Sequence, residues 1–99
     1  MITVINRLTV HGDVDAFQKI LGGITEHMSS QPGFLSHSLY RSLNHPEVFV
    51  ETARWADAES HRRAMKATAF RDRVRGLEDL ATPEPDVFEI LEEDAPRLG

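Results

Sequence analysis

At 99 residues, with 40% hydrophobic and 27% charged side chains, the chain has the size and balance of one globular domain spanning 1–99, which sets aside the disordered and membrane-spanning classes. The absence of cysteine excludes disulfides, thiolate nucleophiles, zinc fingers and cysteine-ligated iron–sulfur clusters. A formal net charge of −5 argues against a nucleic-acid partner and favours a neutral or small organic ligand.

The first stretch, "MITVINRLTV", reads as a β-strand. It is interrupted by Asn6 and Arg7 and has no basic segment before it, so it does not read as a signal peptide, and a cytoplasmic location is expected. On a two-residue period Ile2, Val4, Leu8 and Val10 share one face, and Asn6 sits among them. An amide there either faces a pocket or satisfies a neighbouring buried group. The two readings forecast opposite results for Asn6→Ala. The pocket reading leaves the melting temperature nearly unchanged or raises it and cuts turnover by about a hundredfold or more, whereas the structural reading costs roughly 1–3 kcal/mol of stability.

Gly12-Asp13 supplies a turn and an N-cap, after which Val14, Phe17, Ile20, Leu21, Ile24 and Met28 recur at helical spacing to about residue 29. Gln31-Pro32-Gly33 stops this helix. "FLSHSLYRS" then alternates as a strand, with Leu35, His37, Leu39 and Arg41 opposite Phe34, Ser36, Ser38 and Tyr40. Asn44-His45-Pro46 is turn chemistry, so 34–42 and 47–55 form a hairpin whose second strand ends at Trp55. Asp57 caps a second helix from Ala58, which carries Ala64 and Met65 and, after a bend near Thr68, Phe70, Val74 and Leu77. Pro83 and Pro85 end that region, "DVFEILE" forms the last strand, and the acidic tail 93–99 is expected to fray.

The order β-α-β-β-α-β predicts an α+β, ferredoxin-like fold, one antiparallel sheet with both helices on one face. The other sheet face remains uncovered, and on the third strand both Val48-Val50 and Phe49-Ala53-Trp55 are apolar. A sheet-to-sheet homodimer would cover it.

Four further residues carry candidate chemistry, each with a bland counterpart. Trp55 either lines a pocket or packs the core. His61, one turn before Ala64, either points into a pocket and titrates near neutral pH or is solvated beside Arg62 and Arg63. Glu51 shares a strand face with Trp55 and is either a buried base or a surface carboxylate. Arg75 either holds a phenolate or carboxylate of a ligand or belongs to the exposed charge run "FRDRVRG". His11, His27, His37 and His45 are scattered without metal-ligand spacing, so no metal site is expected.

With "NRLTV" in strand one, "PGFL" opening strand two and "ARWADAESHRRA" joining strand three to helix two, the chain resembles the antibiotic biosynthesis monooxygenase family of dimeric α/β barrels over roughly residues 2–91. The resemblance implies a homodimeric barrel with a pocket between sheet and helices in each subunit. Family members include cofactor-free oxygenases of aromatic polyketides and haem-degrading enzymes. Haem-degrading members use an asparagine in strand one, matched by Asn6, but ungapped counting puts Ala64 at their tryptophan position and Val74 at that of the iron-ligating histidine. Anthrone-oxidising members use a tryptophan ending strand three, an asparagine four residues before it and an arginine about twenty after. Trp55 and Arg75 match these positions, and Glu51 stands where the asparagine would be.

The resemblance, taken with these residues, implies a cofactor-independent monooxygenase that oxidises an electron-rich aromatic, such as an anthrone or hydroquinone of polyketide type, with dioxygen as co-substrate. Asn6 and Arg75 would be donors, Trp55 would wall the substrate, and His61 or Glu51 would be the base. The alternatives are a haem-binding or haem-degrading monooxygenase and a non-catalytic dimeric ligand-binding or cyclisation accessory protein.

Overall fold

The structure, a computed structural model, describes residues 1–94. Its elements are β1 (Ile2–Val10), α1 (Val14–Ser29), β2 (Phe34–Arg41), β3 (Val48–Trp55), α2 (Ala58–Met65), α3 (Thr68–Glu78) and β4 (Ala81–Glu89). The four strands form one antiparallel sheet in the order β2-β3-β1-β4, the ferredoxin-like arrangement expected from the sequence. Asp13 and Asp57 cap α1 and α2 as expected, their carboxylates accepting from the Ala16 and Ser60 N–H groups at 2.9 and 2.7 Å. Among the described residues no helix is long and apolar enough to cross a membrane. Of the tail expected to fray, residues 95–99 lie outside the described residues.

Three local expectations are corrected. The bend near Thr68 is a complete break, because Ala67 is extended (φ −64°, ψ 138°) between two separate helices. Helical geometry requires it: Phe70 follows Ala64 by six residues, about 240° around a continuous helix, so one unbroken helix could not turn both inward. Next, Pro83 and Pro85 lie inside β4, which starts at Ala81 rather than at Asp86 and ends at Glu89. Among the described residues β4 is an edge strand paired only with β1, so prolines on alternate residues turn their missing N–H groups to the open side. Finally, an irregularity between Phe34 and Ser36 moves Phe34 onto the His37 side of β2, where its ring meets Trp55 edge-on at 5.4 Å.

The core occupies one end of the sheet. Leu8, Val10, Phe49 and Ala81 are buried there against Phe17, Leu21 and Ile24 of α1 and Leu77 of α3, with the Phe17 and Phe49 rings 5.0 Å apart. The other end, where Asn6 lies opposite Glu51 and Val4 opposite Ala53, is roofed by α2 and α3 without being filled.

The turn between α1 and β2 depends on Gly33. Its φ is +90°, a conformation that side chains rarely adopt, and a Cβ there would stand 2.5 Å from Ser60 Cβ. The Gly33 carbonyl also accepts from the Ala56 N–H at 2.8 Å, tying the α1–β2 turn to the residue that follows β3. Gly33→Ala is expected to destabilise the protein by about 1–3 kcal/mol, measured by urea unfolding, without changing the slope of the transition.

Candidate active site

The unfilled end of the sheet is a cavity of about 390 Å³ between β1, β3, β4 and the helices. That is enough for a small aromatic ligand. Its walls are mainly apolar: Ile24 and Met28 from α1, Met65 from α2, Phe70 and Val74 from α3, and Val4, Ala53 and Trp55 from the sheet. Pro83, Pro85 and Val87 close the β4 side. The prolines therefore serve twice, tolerated by an open edge and supplying donor-free wall.

One polar cluster stands on this floor. Asn6 on β1 lies directly opposite Glu51 on β3, and the side chain of His37 on β2 reaches Glu51 diagonally. Asn6 Nδ2 donates to Glu51 Oε1 at 3.1 Å, and Asn6 Oδ1 accepts from the Glu84 backbone N–H at 3.1 Å. His37 Nε2 lies 3.3 Å from Glu51 Oε2. The side chains of His37 and Glu51 are 21% and 20% exposed, so the pair is largely withdrawn from water.

Trp55 and His61 form a second, apolar group. Trp55 is 1% exposed, with its ring flanked by Phe34 and by His61, the latter at 5.4 Å between ring centroids. Burial pushes the His61 imidazole below its usual titration range, because charging it would remove a cation from water. Since the unfolded chain takes up this proton near pH 6.5, the neutral ring's contribution to stability is full above that pH and is lost as pH falls through the lower folded value. Thermal melts from pH 8 to pH 5 are expected to fall more steeply for the wild type than for His61→Phe. Equal slopes would locate the acid sensitivity elsewhere.

Asn6, Glu51, Trp55 and His61 are thus brought to one cavity. Arg75 is not. It is one residue past Val74 on α3, which turns it away from the cavity, and its guanidinium is exposed with Nη1 3.9 Å from Asp72. His37, taken from the sequence as one of several scattered histidines, is beside Glu51 instead. The signal lay in the turn: a hairpin centred on His45 puts His37 opposite Ala53 and hence diagonal to Glu51. Among the described residues no group of three or more His, Asp and Glu side chains is placed to hold a metal ion.

Comparison with known proteins bears on this geometry. The family profile described as "Antibiotic biosynthesis monooxygenase" matches residues 1–76. The chain is 32% identical over 87 residues to deoxynogalonate monooxygenase of Streptomyces nogalater, covering 88% of this chain and 74% of that protein. It superposes on the crystal structure of SnoaB, a cofactor-independent oxygenase from Streptomyces nogalater, with a TM-score of 0.90 and 30% identity, covering 97% of each chain. A structure from Pseudomonas aeruginosa, 22% identical with a TM-score of 0.79 over 92% of this chain and 94% of its own, shares the fold.

Proposed function

The chain belongs to the antibiotic biosynthesis monooxygenase family, and from that premise we propose that it oxidises an electron-rich aromatic, of anthrone or hydroquinone polyketide type, with dioxygen and without a cofactor. The observation that carries this reading is the Asn6–Glu51–His37 cluster on the floor of an otherwise apolar cavity, in a chain similar to a deoxynogalonate monooxygenase and to an oxygenase described as cofactor-independent.

The chemistry asks little of the protein. A base takes a proton from the activated CH₂ of an anthrone, leaving the electron pair delocalised over the aromatic rings. That anion passes one electron to dioxygen, and the radical pair combines through a new C–O bond to a peroxide. Protonation of the outer oxygen, removal of the second C–H proton and cleavage of O–O give the carbonyl, with the outer oxygen leaving as water. One dioxygen supplies both oxygens and all four oxidising equivalents, so no external reductant enters. A dry cavity, a base and a donor for the anionic oxygen suffice. Asn6 has two N–H groups on Nδ2, of which Glu51 engages one, leaving the second for a substrate oxygen. Trp55 is the aromatic wall. Arg75, facing Asp72 at the surface, has no part in this arrangement.

The test is aerobic incubation of the purified protein with an anthrone, followed by quinone absorbance and by mass spectrometry under ¹⁸O₂. The expected result is quinone carrying one labelled oxygen, and none under nitrogen. Haemin in a parallel titration is expected to give no stoichiometric Soret shift, since Val74 stands where the family's iron-ligating histidine would be. A sharp shift abolished by replacing one histidine would put the haem reading in its place.

Homodimerisation belongs to the same proposal. The sheet face turned from the helices carries Ile5, Tyr40 and Phe88, which are 36, 56 and 44% exposed. A second copy covering that face through a two-fold interface would bury on the order of 1,600 Å² in total. Light scattering at micromolar concentration is expected to give the dimer mass, and a monomer mass would refute this part.

A further inference from the structure

We propose that His37 is the proton acceptor of the cavity, held in place by Glu51, whose second oxygen is in turn held by Asn6. The inference rests on the monooxygenase reading and names the group that begins its chemistry.

Three observations carry it. Glu51 is fixed at both ends, with Oε1 3.1 Å from Asn6 Nδ2 and Oε2 3.3 Å from His37 Nε2. Asn6 is itself anchored by the Glu84 backbone N–H at 3.1 Å, so the chain of contacts runs from β4 through β1 and β3 to β2. Donation from Nε2 to the carboxylate defines the tautomer and leaves the lone pair on Nδ1, for which no partner exists among the described residues. A base oriented by a third group is the recurring arrangement for activating a weak acid.

The other titratable groups on the cavity wall fit the role less well. From β3, Glu51 already accepts at both oxygens. From α2, His61 is wedged against Trp55, no carboxylate among the described residues is bonded to it, and burial disfavours the charged ring. From β4, Asp86 already accepts the Val87 backbone N–H at 2.8 Å. α1 offers only the Thr25 hydroxyl, committed to the Leu21 carbonyl at 3.1 Å, and β1 only Asn6.

The proton balance closes on one residue. The first substrate C–H proton passes to His37 Nδ1, and the imidazolium formed faces Glu51, so the pair gains no net charge beyond that proton. The same N–H returns the proton to the outer peroxide oxygen, and His37, neutral again, takes the second C–H proton as O–O cleaves and passes it to the departing hydroxide, which leaves as water with His37 regenerated.

The test compares wild type, His37→Gln, His37→Ala and Glu51→Gln on one anthrone. His37→Gln retains an amide donor toward Glu51 and is expected to fold, yet to lose kcat on the order of 10²–10⁴-fold with KM nearly unchanged. Glu51→Gln is expected to lose less. Added imidazole is expected to restore part of the His37→Ala rate, and a substrate already ionised at the assay pH is expected to lose much less of its rate in His37→Gln, since the first proton transfer assigned to His37 is bypassed. If the wild type turns over and His37→Gln matches it, or if the loss responds neither to imidazole nor to a pre-ionised substrate, the assignment of His37 is overturned while the monooxygenase reading stands. A wild type that oxidises no anthrone or hydroquinone overturns both.

Discussion

Asn6→Ala is expected to lower kcat by on the order of 10²–10³-fold while also lowering the melting temperature. The first effect follows from the amide's position on the floor of an apolar cavity: a donor aimed at a developing oxyanion where water is excluded is worth about 2.7–4 kcal/mol in the transition state. The second follows from what the same amide holds, since Oδ1 accepts the Glu84 backbone N–H and Nδ2 supports Glu51. Truncation leaves a backbone donor and a carboxylate oxygen without partners, at roughly 1–3 kcal/mol. The pocket and structural readings of Asn6, exclusive on the sequence, are joined by the fold, and the forecast of an unchanged melting temperature gives way to a lowered one. Urea unfolding and steady-state kinetics on the same preparation check both halves. If the folded fraction turns over at the wild-type rate, Asn6 is purely structural. If activity falls with no loss of stability, the two hydrogen bonds contribute nothing net.

Trp55→Ala is expected to cost about 3–5 kcal/mol, the range for removing a fully buried large aromatic. Trp55 is 1% exposed and is packed between Phe34 and His61, so truncation leaves their rings facing a void that the neighbouring strands cannot close. For a domain of this size each kcal/mol moves the melting temperature by roughly 4–8 °C, which puts the shift beyond about 12 °C. Trp55→Phe keeps an aromatic wall and most of the buried area, and it is the variant in which to read function. Its kcat is expected to drop by more than its stability explains. Melting of Trp55→Ala within about 5 °C of wild type would show that the ring is cavity lining without a packing role.

These forecasts depend on different parts of the chain to different degrees. Apolar residues at 14, 17, 21, 24 and 28 made α1 legible because helix spacing is local, and Asp13 and Asp57 marked helix starts because a cap involves only three residues. The break at Ala67 was also present in the sequence, in the six-residue offset from Ala64 to Phe70, but a bend and a break begin with the same pattern. Pro83 and Pro85, read as ending the helical region before the last strand, misled because proline is kept out of a strand unless that strand is at an edge, and edge position belongs to the sheet.

The candidate site divides the same way. The sequence by itself determined that an amide interrupts the apolar face of strand one, that Glu51 and Trp55 share a face of strand three, and that the order of elements builds a ferredoxin-like sheet. Periodicity and turn chemistry act over a few residues and survive in a one-dimensional reading. Only the tertiary structure decided that Asn6 stands opposite Glu51, because α1 separates β1 from β3 and no local rule sets the register across such a crossover. Only the tertiary structure placed His37 within reach of the same carboxylate and turned Arg75, one residue past Val74, outward to Asp72. Side chains 14 and 45 residues from Glu51 meet it because hydrogen-bonded strands fix which residues are neighbours, and burial of the helix-facing side then selects which of them share a dry cavity.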